Sequence, residues 1–352
     1  MVTRGSAPQV LAVVAGLAER TTDSREFRAA VVDVLRRALG FEWYVWILTD
    51  PATSVGTDPL AQIHDLSLVP RTIRLKYAST VNRWTVLDTA AALGDRAGES
   101  ALWREVQRDA GVADVLSIVF RGRYGCWAFL DLWSRRRFGA SDLALVRPLV
   151  PILTRTLRRL QALTFRDLPD ARRPVIGPVM MLLEPDLRVV GQTVESEAWL
   201  RMLLPRPDGS SPVPASAYNV GAQLLAKEQG VDPNTPTARV HLSGGFWATL
   251  RASRVRSMVE PPDGQGGQIA VIAEPSTSTD RLDLFARAHG LSGRETELLG
   301  HVALGADTHE LARLLFLSRY TVQDHLTSIF AKTGLHGRRT LLAHALGVEA
   351  GP

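Results

Sequence analysis

With 352 residues, 45% of them hydrophobic, and a formal net charge of +5, the chain is long and apolar enough for two or three domain cores. Its apolar runs fall far short of the roughly 20 residues that a membrane span needs, and its first residues lack the pattern of a secretory signal, so we expect a cytoplasmic protein with no membrane partner. One cysteine, Cys126, excludes an internal disulfide and a cysteine-rich zinc site, and its apolar surroundings indicate a buried side chain.

The first unit, residues 1–165, is predicted to start as helix then strand. Apolar residues at helical spacing begin at Phe27 and stop at Gly40. The aromatic and β-branched run 41–48 follows, which is typical of a buried strand. A variable middle separates this pair from the rest of the unit, for which the pattern favours no particular structure.

Two further strands, at 115–120 and 126–133, flank a glycine-containing turn, and one long helix is expected over 141–163. The stretch 127–160, WAFLDLWSRRRFGASDLALVRPLVPILTRTLRRL, resembles a GAF domain, in which a strand leads through an arginine-rich loop into a terminal helix. The resemblance implies an α/β sensor domain.

Tryptophans are concentrated in this unit, which holds six of the eight in the chain. Such side chains could line a pocket for a small apolar or aromatic effector, and they could equally be core, because neighbours on a strand face opposite ways. Combined with the part of the unit where the GAF resemblance places its ligand-covering elements, this gives the candidate effector contacts Trp46, Arg74, Tyr77, Trp84, Trp103 and Trp127.

The second unit, residues 174–276, reads as two strands, two helices and three strands. The strands 179–183 and 187–190 flank a turn containing Pro185, which predicts a hairpin. The remaining elements are helices at 194–203 and 217–229 and strands at 238–242, 246–255 and 268–273. This succession resembles an α+β PAS domain.

Short capped helices are predicted near the C-terminus, in residues 281–350. Ser292 with Glu295, and Asp307 with Glu310, have the spacing of capping boxes and mark two helix starts. A third helix is expected from Ser318 to about residue 333 and a fourth over 338–346, each followed by a glycine suited to a helix end. Four helices in fewer than sixty residues predict a small all-α domain.

The third of these helices has one apolar face, formed by Val322, Leu326, Ile329 and Phe330. Its outer face then carries Gln323, Asp324 and Thr327, whose side chains suit adenine, cytosine and thymine edges in the major groove of DNA. At its start lie Ser318, Arg319, Tyr320 and Thr321, where hydroxyls and the helix N-terminus would meet phosphates.

The string 291–346, LSGRETELLGHVALGADTHELARLLFLSRYTVQDHLTSIFAKTGLHGRRTLLAHAL, resembles the LuxR-type helix-turn-helix along its whole length. The resemblance implies binding of double-stranded DNA through the third helix and pairing of two domains through the fourth, and it adds Lys332 and Arg338 to the expected DNA contacts. Members often carry basic residues on the reading face. Here 292–347 is nearly neutral, so we expect a homodimer to supply the missing affinity.

The sequence lacks the motifs of several other functional classes. The chain has no phosphate-binding P-loop, no phosphorylated-receiver pattern and no evident catalytic triad or carboxylate pair, so we expect no enzyme activity, cofactor, catalytic residue or metal. His309, His325 and His336 are spaced too widely to place ligands on one helix face. The sequence therefore predicts a multidomain α+β transcriptional regulator, and a dimerisation protein that docks on another regulator without an effector stays open.

Overall fold

The first unit is an antiparallel sheet covered by helices on both faces. The computed structural model describes residues 6–166, 177–203, 214–243, 245–255 and 267–347. The five strands have the order β2-β1-β5-β4-β3. They are β1 (Trp43–Thr49), β2 (Gly56–Gln62), β3 (Ala90–Ala92), β4 (Asp114–Gly122) and β5 (Gly125–Ser134), and the helices are α1 (Ala7–Arg20), α2 (Ser24–Leu39), α3 (Val69–Ala78), α4 (Ala140–Val146) and α5 (Leu149–Leu163).

The two faces of this sheet bury different neighbours. Alternate residues such as Trp46 and Leu130 join the apolar core that includes α2 and α5. Ile47 and Phe129, one position along each strand, join a second core with α3 and with the second unit. Cys126 belongs to this second core and is buried, as expected. The sheet therefore has one face inside its own domain and one face toward its neighbour.

The middle of the first unit contains elements that the sequence pattern did not indicate. These are β2, α3 and β3, together with a short π-helix at Trp103–Gln107. The prediction of one long helix over 141–163 is wrong, because α4 ends at Val146 and α5 begins at Leu149. Pro148 lies between them, and proline cannot donate the amide hydrogen bond that a continuous helix requires.

The second unit repeats the strand order of the first. Its sheet runs β7-β6-β10-β9-β8, again antiparallel. The elements are β6 (Val179–Leu183), β7 (Val189–Gln192), α6 (Ser196–Leu203), α7 (Ala215–Glu228), β8 (Thr237–Ser243), β9 (Phe246–Arg254) and β10 (Ile269–Pro275). Residues 1–5, 174–176, 204–213, 244, 256–266 and 348–350 of the expected domain ranges lie outside the described residues.

Helix α7 packs against α3 and β2 and thereby joins the two units. A Cβ atom at Gly56 would lie 2.9 Å from the side chain of Asn219 on α7. Two buried ion pairs cross the same boundary: Arg83 contacts Asp232 at 2.7 Å, and Arg239 contacts Asp50 at 2.7 Å. Charged as well as apolar contacts therefore hold the two units together.

A connecting helix leads from the second unit into a C-terminal domain of four helices. The connecting helix is α8 (Ser278–His289), and the C-terminal domain contains α9 (Gly293–Ala303), α10 (Thr308–Leu314), α11 (Arg319–Thr333) and α12 (Arg338–Leu346). Helix α8 packs on both α5 and α12. Among the helices of the described residues, none is long and apolar enough to cross a membrane.

Candidate nucleic-acid interface and inter-unit cavities

The helix starts of the C-terminal domain are capped as the sequence predicts. The Ser292 side chain accepts from the amide of Glu295, whose carboxylate accepts from the Ser292 amide at 2.6 Å. Asp307 and Glu310 make the same reciprocal pair at the start of α10. These boxes satisfy amide groups that the first turn of a helix leaves without partners.

Glu295 also joins the first helix of this domain to α11. Its buried carboxylate accepts a hydrogen bond of 2.6 Å from the Ser328 hydroxyl and contacts the Lys332 ammonium at 2.6 Å. Burial opposes ionisation, but these hydrogen bonds outweigh it and lower the pKa of Glu295 to about 2. The carboxylate is therefore charged at neutral pH and fixes the position of α11.

Helix α11 has the two faces that its sequence predicts. Val322, Leu326 and Ile329 are buried in the core of the domain. Gln323, Asp324 and Thr327 are exposed on the opposite side. The Thr327 hydroxyl donates to the Gln323 carbonyl at 2.9 Å, and its oxygen can still accept a hydrogen bond.

The start of α11 presents exposed polar groups at one end of this surface. The Ser318 side chain caps the helix by accepting from the Thr321 amide at 3.1 Å. Arg319 is exposed, and Tyr320 is 78% exposed. The first amides of α11 lie beside these side chains, and the positive end of the helix faces solvent there. This arrangement suits phosphate binding.

Two of the expected DNA contacts are occupied inside the domain. The Lys332 ammonium lies on Glu295, and the Arg338 guanidinium donates to the Thr308 hydroxyl at 2.8 Å. Both side chains connect helices of the C-terminal domain to each other. The structure therefore brings seven of the nine expected residues together on the exposed part of α11 and places Lys332 and Arg338 in structural contacts.

Sequence reasoning missed one feature of this surface, the exposure of Phe316. Its side chain is 95% exposed and its φ angle is +53°, in the turn between α10 and α11. The surrounding run Leu314–Leu317 is uniformly apolar, so no pattern distinguishes this residue from its buried neighbour Leu315.

Arg281 of the connecting helix lies between the second unit and the C-terminal domain. Its buried guanidinium donates to the carbonyls of Gly245 and His344, and it lies 5.0 Å from the centre of the Phe165 ring. No carboxylate pairs with it in the described part of the chain. Burial lowers the pKa of Arg281 to about 10, so the group still carries its charge at neutral pH.

Histidines complete this junction. The Nδ1 atom of His344 on α12 lies 2.7 Å from the Phe165 carbonyl at the end of the first unit. His289 packs on the rings of Phe285 and Phe165, and burial lowers the pKa of His289 to about 4. The C-terminal domain therefore contacts the first two units through α8, α12 and the residues after α5.

The six candidate effector contacts do not share one pocket. Trp46 and Trp127 lie in the core on the α2 and α5 side of the first sheet. Tyr77 and Trp84 lie on the other side, where Trp84 stacks on Phe129. Trp103 packs in a third cluster and donates to a backbone carbonyl, and Arg74 is half-buried on α3.

A cavity of about 730 Å³ lies instead between the units. Its wall includes Ile47 and Ala61 from the first sheet, Val240 and Trp247 from the second, and Leu284 from the connecting helix. Further residues come from α3 and from the end of α5. No sequence pattern could indicate this cavity, because its wall combines segments that are far apart along the chain.

A smaller cavity of about 20 Å³ adjoins it, and Val45, Ile47, Thr72 and Ile73 line both. Polar residues contribute to its otherwise apolar wall. Lys76 and Asp131 form an ion pair of 2.6 Å there. Tyr77, one of the candidate effector contacts, also lines it, and Asn219 contributes from the second unit. Among the described residues, no group of three or more histidine, cysteine, aspartate or glutamate side chains could hold a metal ion.

Comparison with known proteins assigns the C-terminal domain. Residues 289–345 match the family described as bacterial regulatory proteins, luxR family. The chain is 30% identical over 127 residues to the probable HTH-type transcriptional regulator GfsR of Streptomyces halstedii, covering 34% of this chain and 51% of that protein. It is 38% identical over 55 residues to the probable csgAB operon transcriptional regulatory protein of Salmonella typhimurium, covering 16% of this chain and 26% of that one. The chain thus spans about half the length of the first relative and a quarter of the second.

Solved structures give weaker likenesses. The VqsR LBD domain from Pseudomonas aeruginosa is 17% identical with a TM-score of 0.34, covering 44% of this chain and 97% of that one. Escherichia coli SdiA is 12% identical with a TM-score of 0.32, covering 97% of this chain and 99% of that one. The family match falls on the helices whose caps and exposed face are described above. The C-terminal residues 289–345 therefore form a LuxR-type helix-turn-helix domain.

Proposed function

We propose that this protein is a DNA-binding transcriptional regulator that reads its operator through α11. The observation that carries this proposal is the exposed polar face of α11, with Gln323, Asp324 and Thr327, in a LuxR-type domain. Helix α11 enters the major groove, and the residues from Ser318 to Thr321 contact the flanking phosphates. The curated relatives named above, which are transcriptional regulators, support the same function.

The first two units act as sensor domains. The α/β organisation of the first, with its sheet order β2-β1-β5-β4-β3, supports a GAF-like domain, and the same order in the second supports a PAS-like domain. The connecting helix α8 contacts both α5 and α12, so a change in the sensor units reaches the DNA-binding domain through a continuous set of packed helices. The effector acts by binding one arrangement of these helices more tightly than another.

The active form is a homodimer, because the C-terminal domain offers few basic side chains to DNA. Lys332 and Arg338 are engaged in contacts within the domain, which leaves Arg319 as the exposed cation at the start of α11. Two domains on half-sites about 10 base pairs apart double the phosphate contacts.

Selection of binding sites from a random DNA pool by the full chain tests the proposal. The expected result is one enriched motif with two related half-sites. The matched control is the double variant Gln323→Ala/Thr327→Ala, whose helix should still fold and whose enrichment should weaken. Recovery of no motif would overturn the proposed function, and a single half-site would overturn the dimer.

A further inference from the structure

We propose that the two adjoining cavities between the units form one binding site for a neutral, mostly apolar molecule that carries a hydroxyl group. The site is drawn from the first unit, the second unit and the connecting helix, and it differs from a pocket inside the first unit alone. Its role in regulation rests on the proposed function. Its ability to bind a ligand does not.

The larger cavity has the size and lining of a small-molecule site. Its volume of about 730 Å³ falls within the range of about 300–1,000 Å³ that such sites span. Most of the wall is apolar, and side chains such as Ile47, Val240, Leu242, Trp247 and Leu284 contribute to it. An apolar molecular body would be removed from water here without losing hydrogen bonds.

The charges in this wall already have partners. Arg239 contacts Asp50 and Asp283 at 2.7 Å each, and Asp58 pairs with Arg28 and with Arg25. The remaining charged residue, Asp23, accepts from the Glu26 amide as the cap of α2. Apart from Asp23, each of these charges already has a counter-ion, so a charged ligand would lose its hydration with little compensation and the cavity favours a neutral one.

The smaller cavity supplies the polar end of the site. Oδ1 of Asp131 and Oδ1 of Asn219 are buried acceptors, and Nε1 of Trp133 is a buried donor, and none has a hydrogen-bond partner among the described residues. The same holds for the Thr72 hydroxyl. All four residues line this cavity and are more than nine-tenths buried. Buried polar groups without partners are rare in proteins, so these four groups call for a partner that the described residues do not supply.

A hydroxyl is the group that fits this end. The volume of about 20 Å³ accommodates one water-sized group. A hydroxyl can donate to Asp131 or Asn219 and accept from Trp133 or Thr72 at the same time. A carboxylate or an ammonium would find no free counter-ion here, because Lys76 and Asp131 already neutralise each other. Since four wall residues belong to both cavities, the hydroxyl and the apolar body can belong to one molecule.

Titration calorimetry on the full chain tests the site with two probes, 2-naphthol and 2-methoxynaphthalene, which share the ring system and differ in the hydroxyl. We expect 2-naphthol to bind about tenfold or more tightly, since its methyl ether cannot donate a hydrogen bond. Equal affinities, or no binding of 2-naphthol, would overturn the proposal. The second result would leave a bound water as the only occupant of the polar end.

Variants separate a ligand site from a structural defect. Thr72→Val should weaken 2-naphthol about tenfold while the free chain stays equally or more stable, because the change removes a buried hydroxyl without a partner. Ala61→Trp should fill the larger cavity from an exposed strand position and abolish binding. The matched control is Gln62→Trp, next on the same strand and outside the cavity wall, which should bind normally. Binding that survives Ala61→Trp would place the ligand elsewhere.

The same preparations separate this inference from the proposed function. DNA binding is measured without the probe, on the motif selected by the full chain. If Ala61→Trp binds DNA normally and all chains ignore 2-naphthol, the site is wrong and the regulator stands. If 2-naphthol binds as expected and no chain binds DNA, the proposed function is wrong and the site stands.

Discussion

Glu295 positions a surface that it does not belong to, the exposed face of α11. Its carboxylate closes the capping box of α9 and holds Ser328 and Lys332 of α11. The cap is evident in the sequence because its two residues are three positions apart. The contact with α11 is not evident, because Lys332 is 37 positions away along the chain and the LuxR-type resemblance implied a DNA contact for it instead.

We predict that Glu295→Gln destabilises the C-terminal domain by about 1–3 kcal/mol, because it removes the charge that pairs with Lys332 and weakens charged hydrogen bonds. Thermal unfolding followed by circular dichroism measures the loss. Glu297→Gln is the matched control, since Glu297 pairs with Arg294 on the surface and should cost much less. Equal effects of the two changes would contradict the structural role of Glu295.

The exposed face of α11 carries the side chains that we propose contact base pairs. We predict that Gln323→Ala and Thr327→Ala each alter preference at one or two base pairs, because a good base contact contributes about 1–3 kcal/mol of discrimination. Sequencing of selected sites measures the change. Ala331, exposed on the same helix, offers a control as Ala331→Ser, which should keep the parent motif. An unchanged motif in both test variants would assign the reading to other residues.

At the scale of elements, the sequence predicts best what is local. The helices of the C-terminal domain follow from caps and from apolar spacing, and the structure has all four within a residue or two of the expected bounds. Strand β2 was missed because its sequence, GTDPLAQ, contains glycine, aspartate and proline, which disfavour strands. It exists because β1 pairs with it. The inter-unit cavities were also missed, because their walls consist of residues that only tertiary packing brings together.

The connecting helix α8 makes the stability of the folded chain depend on pH. The pKa of His289 lies at about 4 in the folded chain, below its ordinary value, so the unfolded chain binds a proton first as the pH falls. Stability is then fully present above about pH 6.5 and is lost progressively as the pH falls toward 4.

We predict that lowering the pH from 7 to 5 costs about 2 kcal/mol through this residue. Denaturant unfolding of the full chain at both values measures the difference. His289→Phe, which keeps an aromatic ring against Phe285, should lose most of it. An exposed histidine, His64, provides the control as His64→Phe and should keep the parent dependence. A dependence that is the same in His289→Phe would show that other groups cause it.

In the molecule as a whole, buried charged side chains connect the first two units, α8 and the C-terminal domain. Arg83 and Asp232 join the first unit to the second, Arg239 joins both to α8, and Arg281 joins α8 to the second unit and to α12. The sequence indicated three domains and their order, but it could not indicate these contacts, because each pairs residues that are distant along the chain. They connect the first two units and α8 to the domain that contains α11.

The most direct test of the central claim is a cleavage map of the DNA from α11 itself. Cys126 is the only cysteine and is buried, so Thr327→Cys can be labelled selectively with an iron chelate that cuts nearby DNA. If α11 lies in the major groove, the label cuts the operator at a few adjacent positions within each half-site, and a label at the exposed position Ala12→Cys on α1 cuts none. Two results would contradict the placement of α11 in the major groove. One is specific binding of the operator without cleavage from position 327, and the other is cleavage from position 327 that only equals that from position 12.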